Sequence, residues 1–218
     1  KNILSALETA QISTVLTSHR FIELGQLEEE ESALAKTVTL VYLDDLRESI
    51  SSFDKLIGLV KSRLPKHFHR KHQPSPNDAA VVLFTSGSEG VPKGVVLSHR
   101  NILSNASQLT ARVDFNATDI VFNALPIFHS FGLTGGMILP VLSGVKIFLY
   151  PSPLHYRIIP ALVYSTNATI MFGTSTFLSG YARASHPYDF YSLRYVFAGA
   201  EKVKNETRVA WSEKFGLR

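Results

Sequence analysis

Short β-branched or aromatic runs alternate with amphipathic helical runs along the chain, and this rhythm restricts the possible folds more than any other feature. It predicts an α/β fold of alternating strands and helices with largely parallel sheets. Strands are expected at Ser13 (STVLTS), over 37–43 (TVTLVYL), 79–85 (AAVVLFT, read as buried), 119–125, 145–150, 168–172 and 193–199. Helices are expected over 1–9, near Arg20, through most of 44–64, and over 98–113, 133–142, 154–164, 175–184 and 203–215. Ser98 is a candidate N-cap, and Glu28 to Glu31 read as an exposed loop or helix end. The stretch PKHFHRKHQPSPND, polar and with three prolines, reads as a linker. It separates a partial α/β subdomain, 1–75, from a second α/β subdomain, 76–218.

Composition excludes several classes. With 45% apolar and 18% charged residues, the chain supports a packed core. A net charge of +4 over 22 basic and 18 acidic residues is too dispersed to indicate nucleic acid as a partner. Without cysteine there is no disulfide framework, thiol nucleophile or thiolate metal site. No apolar run reaches the roughly 18 residues that span a bilayer. His67, His69 and His72 sit among Lys66, Arg70 and Lys71, which disfavours a dication, so they are assigned to the linker.

The segment VVLFTSGSEGVPKGV is a strand running into a glycine-rich loop. Glycine lets the backbone approach an anion closely, and the hydroxyls of Thr85, Ser86 and Ser88 with the ammonium of Lys93 suit phosphate oxygens. The nucleotide-binding pattern G-x-x-x-x-G-K-[ST] fails, because Pro92 and Gly94 stand at two of its fixed positions. The G-x-S-x-G elbow of serine hydrolases fails as well, at Ser86. On composition alone, a surface turn and a phosphate site both stay open. The same is true downstream. His129, among aromatics in ALPIFHSFGL, reads as a core histidine or a site residue. IMFGTSTF reads as core plus a cap or as a pocket wall, and RYVFAGAEKV as a tight turn or a ligand-binding strand end.

The loop TSGSEGVPKG resembles the signature of the adenylate-forming enzymes, [ST]-[ST]-G-[ST]-x-G-x-P-K-G, at every fixed position. The resemblance implies a partial large N-terminal domain of such an enzyme. Its chemistry would be attack of a carboxylate on the α-phosphate of ATP, giving an acyl-adenylate and pyrophosphate, then transfer of the acyl group to a thiol. It implies that Thr85, Ser86, Gly87, Ser88, Gly90, Lys93 and Gly94 bind phosphate, with Thr85 also a weak candidate ligand for Mg2+. His129, 36 residues after Lys93, falls in a PxFHxxG segment and is the implied catalytic residue, positioning the carboxylate. His129, Phe131, Gly132, Phe172, Gly173 and Thr174 become the implied acyl pocket, and Gly199, Ala200 and Glu201 the adenine contacts.

FLYPSPLHYRIIP and HPYDFYSLRYVFAGAEK further resemble the synthetase part of bacterial acyl-acyl carrier protein synthetases, in particular the branch fused to a lysophospholipid acyltransferase. That likeness implies a fatty acid and acyl carrier protein as partners, lysophospholipid through an acyltransferase segment, and the cytoplasmic side of the bacterial inner membrane as location. A YGxTE segment, a ribose-binding Asp, a catalytic Lys and an H-x-x-x-x-D acyltransferase motif are not in these residues. The 218-residue stretch is therefore expected to be soluble and not to complete adenylation alone.

Overall fold

The computed structural model describes residues 2–69, 73–85 and 93–217, in two compact units, Lys1–His99 and Arg100–Arg218.

The first unit opens with α1 (Asn2–Thr9), β1 (Thr14–Thr17), α2 (His19–Gly25), α3 (Glu28–Leu34) and β2 (Thr39–Tyr42). β1 and β2 pair in parallel from Thr14↔Thr39 to Thr17↔Tyr42, with α2 and α3 in the crossover. Ser18 caps α2 by accepting from the Phe21 N–H. Glu28 to Glu31 form the first turn of α3, where four carboxylates face the positive end of the helix dipole. α4 (Leu43–Ser49), α5 (Ser52–Arg63) and α6 (Pro65–His69) follow. Ser51 and Asp54 close a capping box at the start of α5.

β3 (Ala79–Thr85) and β4 (Lys93–Ser98) then form an antiparallel hairpin ending at the Thr85↔Lys93 pair. The sequence reading expected a single buried strand here. The valines after Gly94 supply the second strand, and the hairpin is half-exposed. Ser98 ends β4 and directly precedes the next helix, α7 (His99–Thr110), the place expected for its N-cap residue.

The second unit is built on a four-stranded, all-parallel sheet of β5 (Ile120–Asn123), β6 (Lys146–Leu149), β7 (Ile170–Gly173) and β8 (Tyr195–Ala198), in the order β6-β5-β7-β8. The β5–β6 crossover runs through α8 (Ser130–Leu133), a π-helical segment over Thr134–Ile138 and α9 (Leu139–Leu142). α10 (Ile158–Thr166) precedes β7, α11 (Ser175–Ala184) and a 3-10 turn at Pro187–Phe190 precede β8, and α12 (Asn205–Phe215) comes last.

Strand alternation sorts the core onto two faces. Phe122 and Met171 pack with Ile159, Val163, Tyr181 and Trp211. Val121, Ile170 and Phe172 pack with Ala106, Leu139 and Val145. At the entry to three strands, buried Asp119 accepts from the Thr169 hydroxyl at 2.7 Å, Arg194 Nη1 at 2.6 Å and the Asn116 N–H at 2.9 Å. Burial pushes this carboxyl upward, but the bonds from Asn116, Thr169 and Arg194 outweigh it and hold it below the usual carboxylate range. No helix among the described residues is long and apolar enough to cross a membrane.

Candidate functional site

In an open parallel sheet, ligands sit outside the carboxyl ends of the strands, where successive crossovers leave in opposite directions. Here β5 connects outward to β6 while β7, on its other side, connects to β8, so the switch falls between β5 and β7. A cavity of about 410 Å3 lies at that end, lined by residues that include His129, Phe131, Gly135, Phe172, Phe197 and Ala200.

His129 follows the loop that leaves β5. Its N–H donates to Pro126 O at 3.1 Å and its carbonyl accepts from Leu133 N at 2.9 Å, anchoring it at the start of α8. Its side chain caps that helix: Nδ1 accepts the Phe131 N–H at 3.3 Å. With Nδ1 an acceptor, the neutral ring carries its proton on Nε2, leaving one N–H free to donate.

Three phenylalanine rings form the apolar part of the cavity wall, beside the polar Asn105, Ser130 and Thr134. Phe172 stacks on Phe197 with centroids 5.1 Å apart and meets Phe131 edge-on at 5.7 Å. Two glycines allow this packing. A Cβ on Gly135 would lie 2.8 Å from Phe172 Cε1, and one on Gly199 would lie 3.0 Å from Phe131 Cζ.

The turn after β8 closes the site. Gly199 N donates to Gly173 O at 3.2 Å, tying the ends of β7 and β8 together. Ala200 adopts a left-handed φ of 66°, a conformation that costs a non-glycine residue about 1–2 kcal/mol. Glu201 turns back to α11, its carboxylate accepting from Thr176 N at 2.6 Å and from the Thr176 hydroxyl at 3.2 Å. These bonds, the backbone one foremost, hold Glu201 below its usual carboxylate value. Thr174 caps α11 through Phe177 N.

The expected acyl-pocket residues therefore divide. His129, Phe131 and Phe172 reach the cavity wall. Gly132 packs behind it, where a Cβ would stand 2.3 Å from Pro126 O, and Gly173 packs against Leu178. Of the turn, Ala200 reaches the wall, Gly199 supports Phe131, and the Glu201 carboxylate is occupied as a helix cap. Sequence reading missed Gly135, Asn105 and Leu109, which also line the cavity. It also missed Phe197, whose place two residues before Gly199 in an alternating strand was the available signal.

Of the phosphate-loop residues, Thr85 and Lys93 form the terminal pair of the β3–β4 hairpin in the first unit. Gly94 lets Phe84 and Val82 pack across the strand, both 3.3 Å from where a Cβ would be. Ser86, Gly87, Ser88 and Gly90 lie outside the described residues. Mg2+ requires about six oxygen ligands, usually with one or two carboxylates. Among the described residues no group of three or more histidine, cysteine or acidic side chains is placed to hold a metal ion; Thr85, at the hairpin end, would offer one hydroxyl oxygen.

The pattern of the AMP-binding enzyme family matches residues 1–218. Among similar curated proteins, a medium-chain-fatty-acid–[acyl-carrier-protein] ligase of Moorena producens is 29% identical over 96% of this chain and 35% of its own length. The medium-chain fatty-acid–CoA ligase of Escherichia coli is 31% identical over 58% of this chain and 23% of its own length. The chain thus spans about a third or less of these relatives. ATP-bound MatB from Rhodopseudomonas palustris superposes with a TM-score of 0.73 at 21% identity, covering 98% of this chain and 40% of that one. The McyG A-PCP structure with phenylalanyl-adenylate gives 0.76 at 19% identity, covering 99% and 32%. At these identities the two structures establish the shared fold.

Proposed function

Because the chain belongs to the AMP-binding enzyme family, we propose that it is part of an ATP-dependent acid–thiol ligase that activates a fatty acid and passes it to acyl carrier protein. The observation that carries this reading is the cavity at the sheet's switch point, where the rings of Phe131, Phe172 and Phe197 stand beside the His129 N–H and the polar residues Asn105, Ser130 and Thr134. Such a site suits a molecule with a carboxylate head and an apolar tail.

In this reading the tail lies against Phe131, Phe172 and Phe197, and the carboxylate accepts from His129 Nε2. A carboxylate is already ionised at neutral pH, so His129 orients it rather than removing a proton. One carboxylate oxygen forms a bond to the α-phosphorus of ATP as the bond to pyrophosphate breaks. Lys93 and the Thr85 hydroxyl, with Ser86, Gly87, Ser88, Gly90 and Gly94, hold the departing phosphates. Gly199, Ala200 and Glu201 form the turn assigned to the adenine. A thiolate then attacks the acyl carbon and AMP leaves with the electron pair of the acyl–oxygen bond.

The carrier-protein relative supports acyl carrier protein as acceptor, and the coenzyme A relative supports the competing acceptor. FLYPSPLHYRIIP supports assignment to the branch that reacylates lysophospholipid at the bacterial inner membrane.

The test is fatty-acid-dependent ATP–pyrophosphate exchange by the full-length protein, followed by transfer of labelled acyl groups to carrier protein or to coenzyme A. Exchange with acyl transfer to carrier protein supports the whole reading. Transfer only to coenzyme A corrects the acceptor. Ligand binding without pyrophosphate exchange makes the protein a binding module and ends the reading.

A further inference from the structure

Asn123 is the last residue of β5, and its side chain is 1% exposed between apolar neighbours Phe122 and Ala124. Asparagine is poor in strands, and a buried amide is tolerated only when its groups are bonded. This one is bonded on both sides. Oδ1 accepts from Leu125 N at 3.1 Å, while Nδ2 donates to Leu125 O at 3.3 Å and Gly132 O at 3.4 Å. The first two bonds bend the chain out of the strand. The third joins that bend to α8.

His129 sits between the joined points, and two glycine notches make the join fit. A Cβ on Gly136 would stand 2.2 Å from Asn123 Cγ and Nδ2, and one on Gly132 would stand 2.3 Å from Pro126 O, the carbonyl that accepts the His129 N–H. The amide therefore sets the distance between the strand end and the helix start, and the histidine ring is hung from both.

We propose that Asn123 is a positioning residue for His129: a buried amide that fixes where the ring's free N–H stands when the carboxylate arrives. This rests on the reading that His129 receives the substrate carboxylate.

The experiment uses the full-length protein with Asn123→Leu, Asn123→Asp, Gly136→Ala, His129→Ala and the Asn123→Leu/His129→Ala double variant. Asn123→Asp keeps the acceptor and loses both donations, and Gly136→Ala presses on the amide from the helix side. Imidazole nitrogen NMR without substrate reports whether Nδ1 of His129 still accepts a hydrogen bond. Pyrophosphate exchange gives KM separately for fatty acid and ATP.

The expected result is an altered His129 ring signal in all three single variants at Asn123 and Gly136. KM for the fatty acid rises about tenfold, the equivalent of one lost hydrogen bond, with KM for ATP unchanged within about twofold. Asn123→Leu has no further effect once His129 is alanine. An unchanged ring signal overturns the proposal, as does a full-sized loss in the His129→Ala background or an equal rise in both KM values. If the wild type shows no carboxylate-dependent exchange, the functional reading fails, and the ring signal alone then decides whether Asn123 positions His129.

Discussion

Gly135→Ala adds one methyl group at the most crowded point of the cavity wall. The added carbon would stand 2.8 Å from Phe172 Cε1, 3.1 Å from Cδ1 and 3.2 Å from Cζ. Carbon atoms settle at about 3.5–4.0 Å, so the ring must retreat by roughly 0.7 Å or more. It has little freedom to do so, being stacked on Phe197 and held edge-on by Phe131. Overpacking of this kind costs about 1–3 kcal/mol. The methyl and the displaced ring both intrude on a cavity of about 410 Å3.

A buried methylene contributes about 0.8 kcal/mol, roughly fourfold in affinity. If the intrusion removes the place of two methylenes, the longest acid that the wild type uses well loses about 1.6 kcal/mol, or about 15-fold in kcat/KM. An acid two carbons shorter loses no more than about threefold. Pyrophosphate exchange over a graded series of straight-chain acids, wild type against variant in the full-length protein, reads this directly. Adding Phe172→Leu to Gly135→Ala should restore the longer acids by making room for the methyl. An unchanged chain-length profile, or a uniform loss across all lengths that Phe172→Leu does not rescue, would show that Gly135 does not set the room for the acyl tail.

Four further outcomes follow from the same structure. Arg194→Ala leaves the buried Asp119 carboxylate without its cation and should lower the urea midpoint at pH 7, by less than the loss of a fully buried pair would because Arg194 is 35% exposed. The folded-state pKa of Asp119 lies below its unfolded value of about 4, so its stabilisation is full above about pH 5 and is lost as pH falls from there through the folded-state value; the gap between wild type and Arg194→Ala should narrow over that fall in acid titrations followed by circular dichroism. Ala200→Gly relieves the left-handed φ and should stabilise the fold by about 0.5–1 kcal/mol, seen as a higher urea midpoint with an unchanged slope. Lys93→Ala should raise KM for ATP while leaving KM for the fatty acid within about twofold, and equal rises in both would detach Lys93 from the phosphates.

Local rules carried much of the architecture. Periodicity and capping placed the helix at 175–184, with Thr174 before it, and β-rich runs over 119–125, 145–150, 168–172 and 193–199, where the strands are 120–123, 146–149, 170–173 and 195–198. Fixed spacing within TSGSEGVPKG and PIFHSFG marked the family, because their chemistry is written in consecutive residues. The second strand of the β3–β4 hairpin escaped because an apolar run after a glycine loop has no intrinsic partner until β3 pairs with it. The glycine at 135 escaped because its reason is the ring of Phe172, on a strand far along the chain.

The same contrast separates the two ends of the sheet. The Asp119–Arg194 pair joins residues 75 apart, and each looks like an ordinary surface charge when read in its own neighbourhood. Asn123 looks like a misplaced polar residue in a strand until the carbonyl of Gly132 is found beside it. The alternation of elements, the α/β class and the family's signature segments could be read from the chain alone, since they depend on neighbours in sequence. Which side chains wall the cavity, where the strand order reverses and which bonds hold His129 emerge from the folded contacts, since they join residues far apart in sequence.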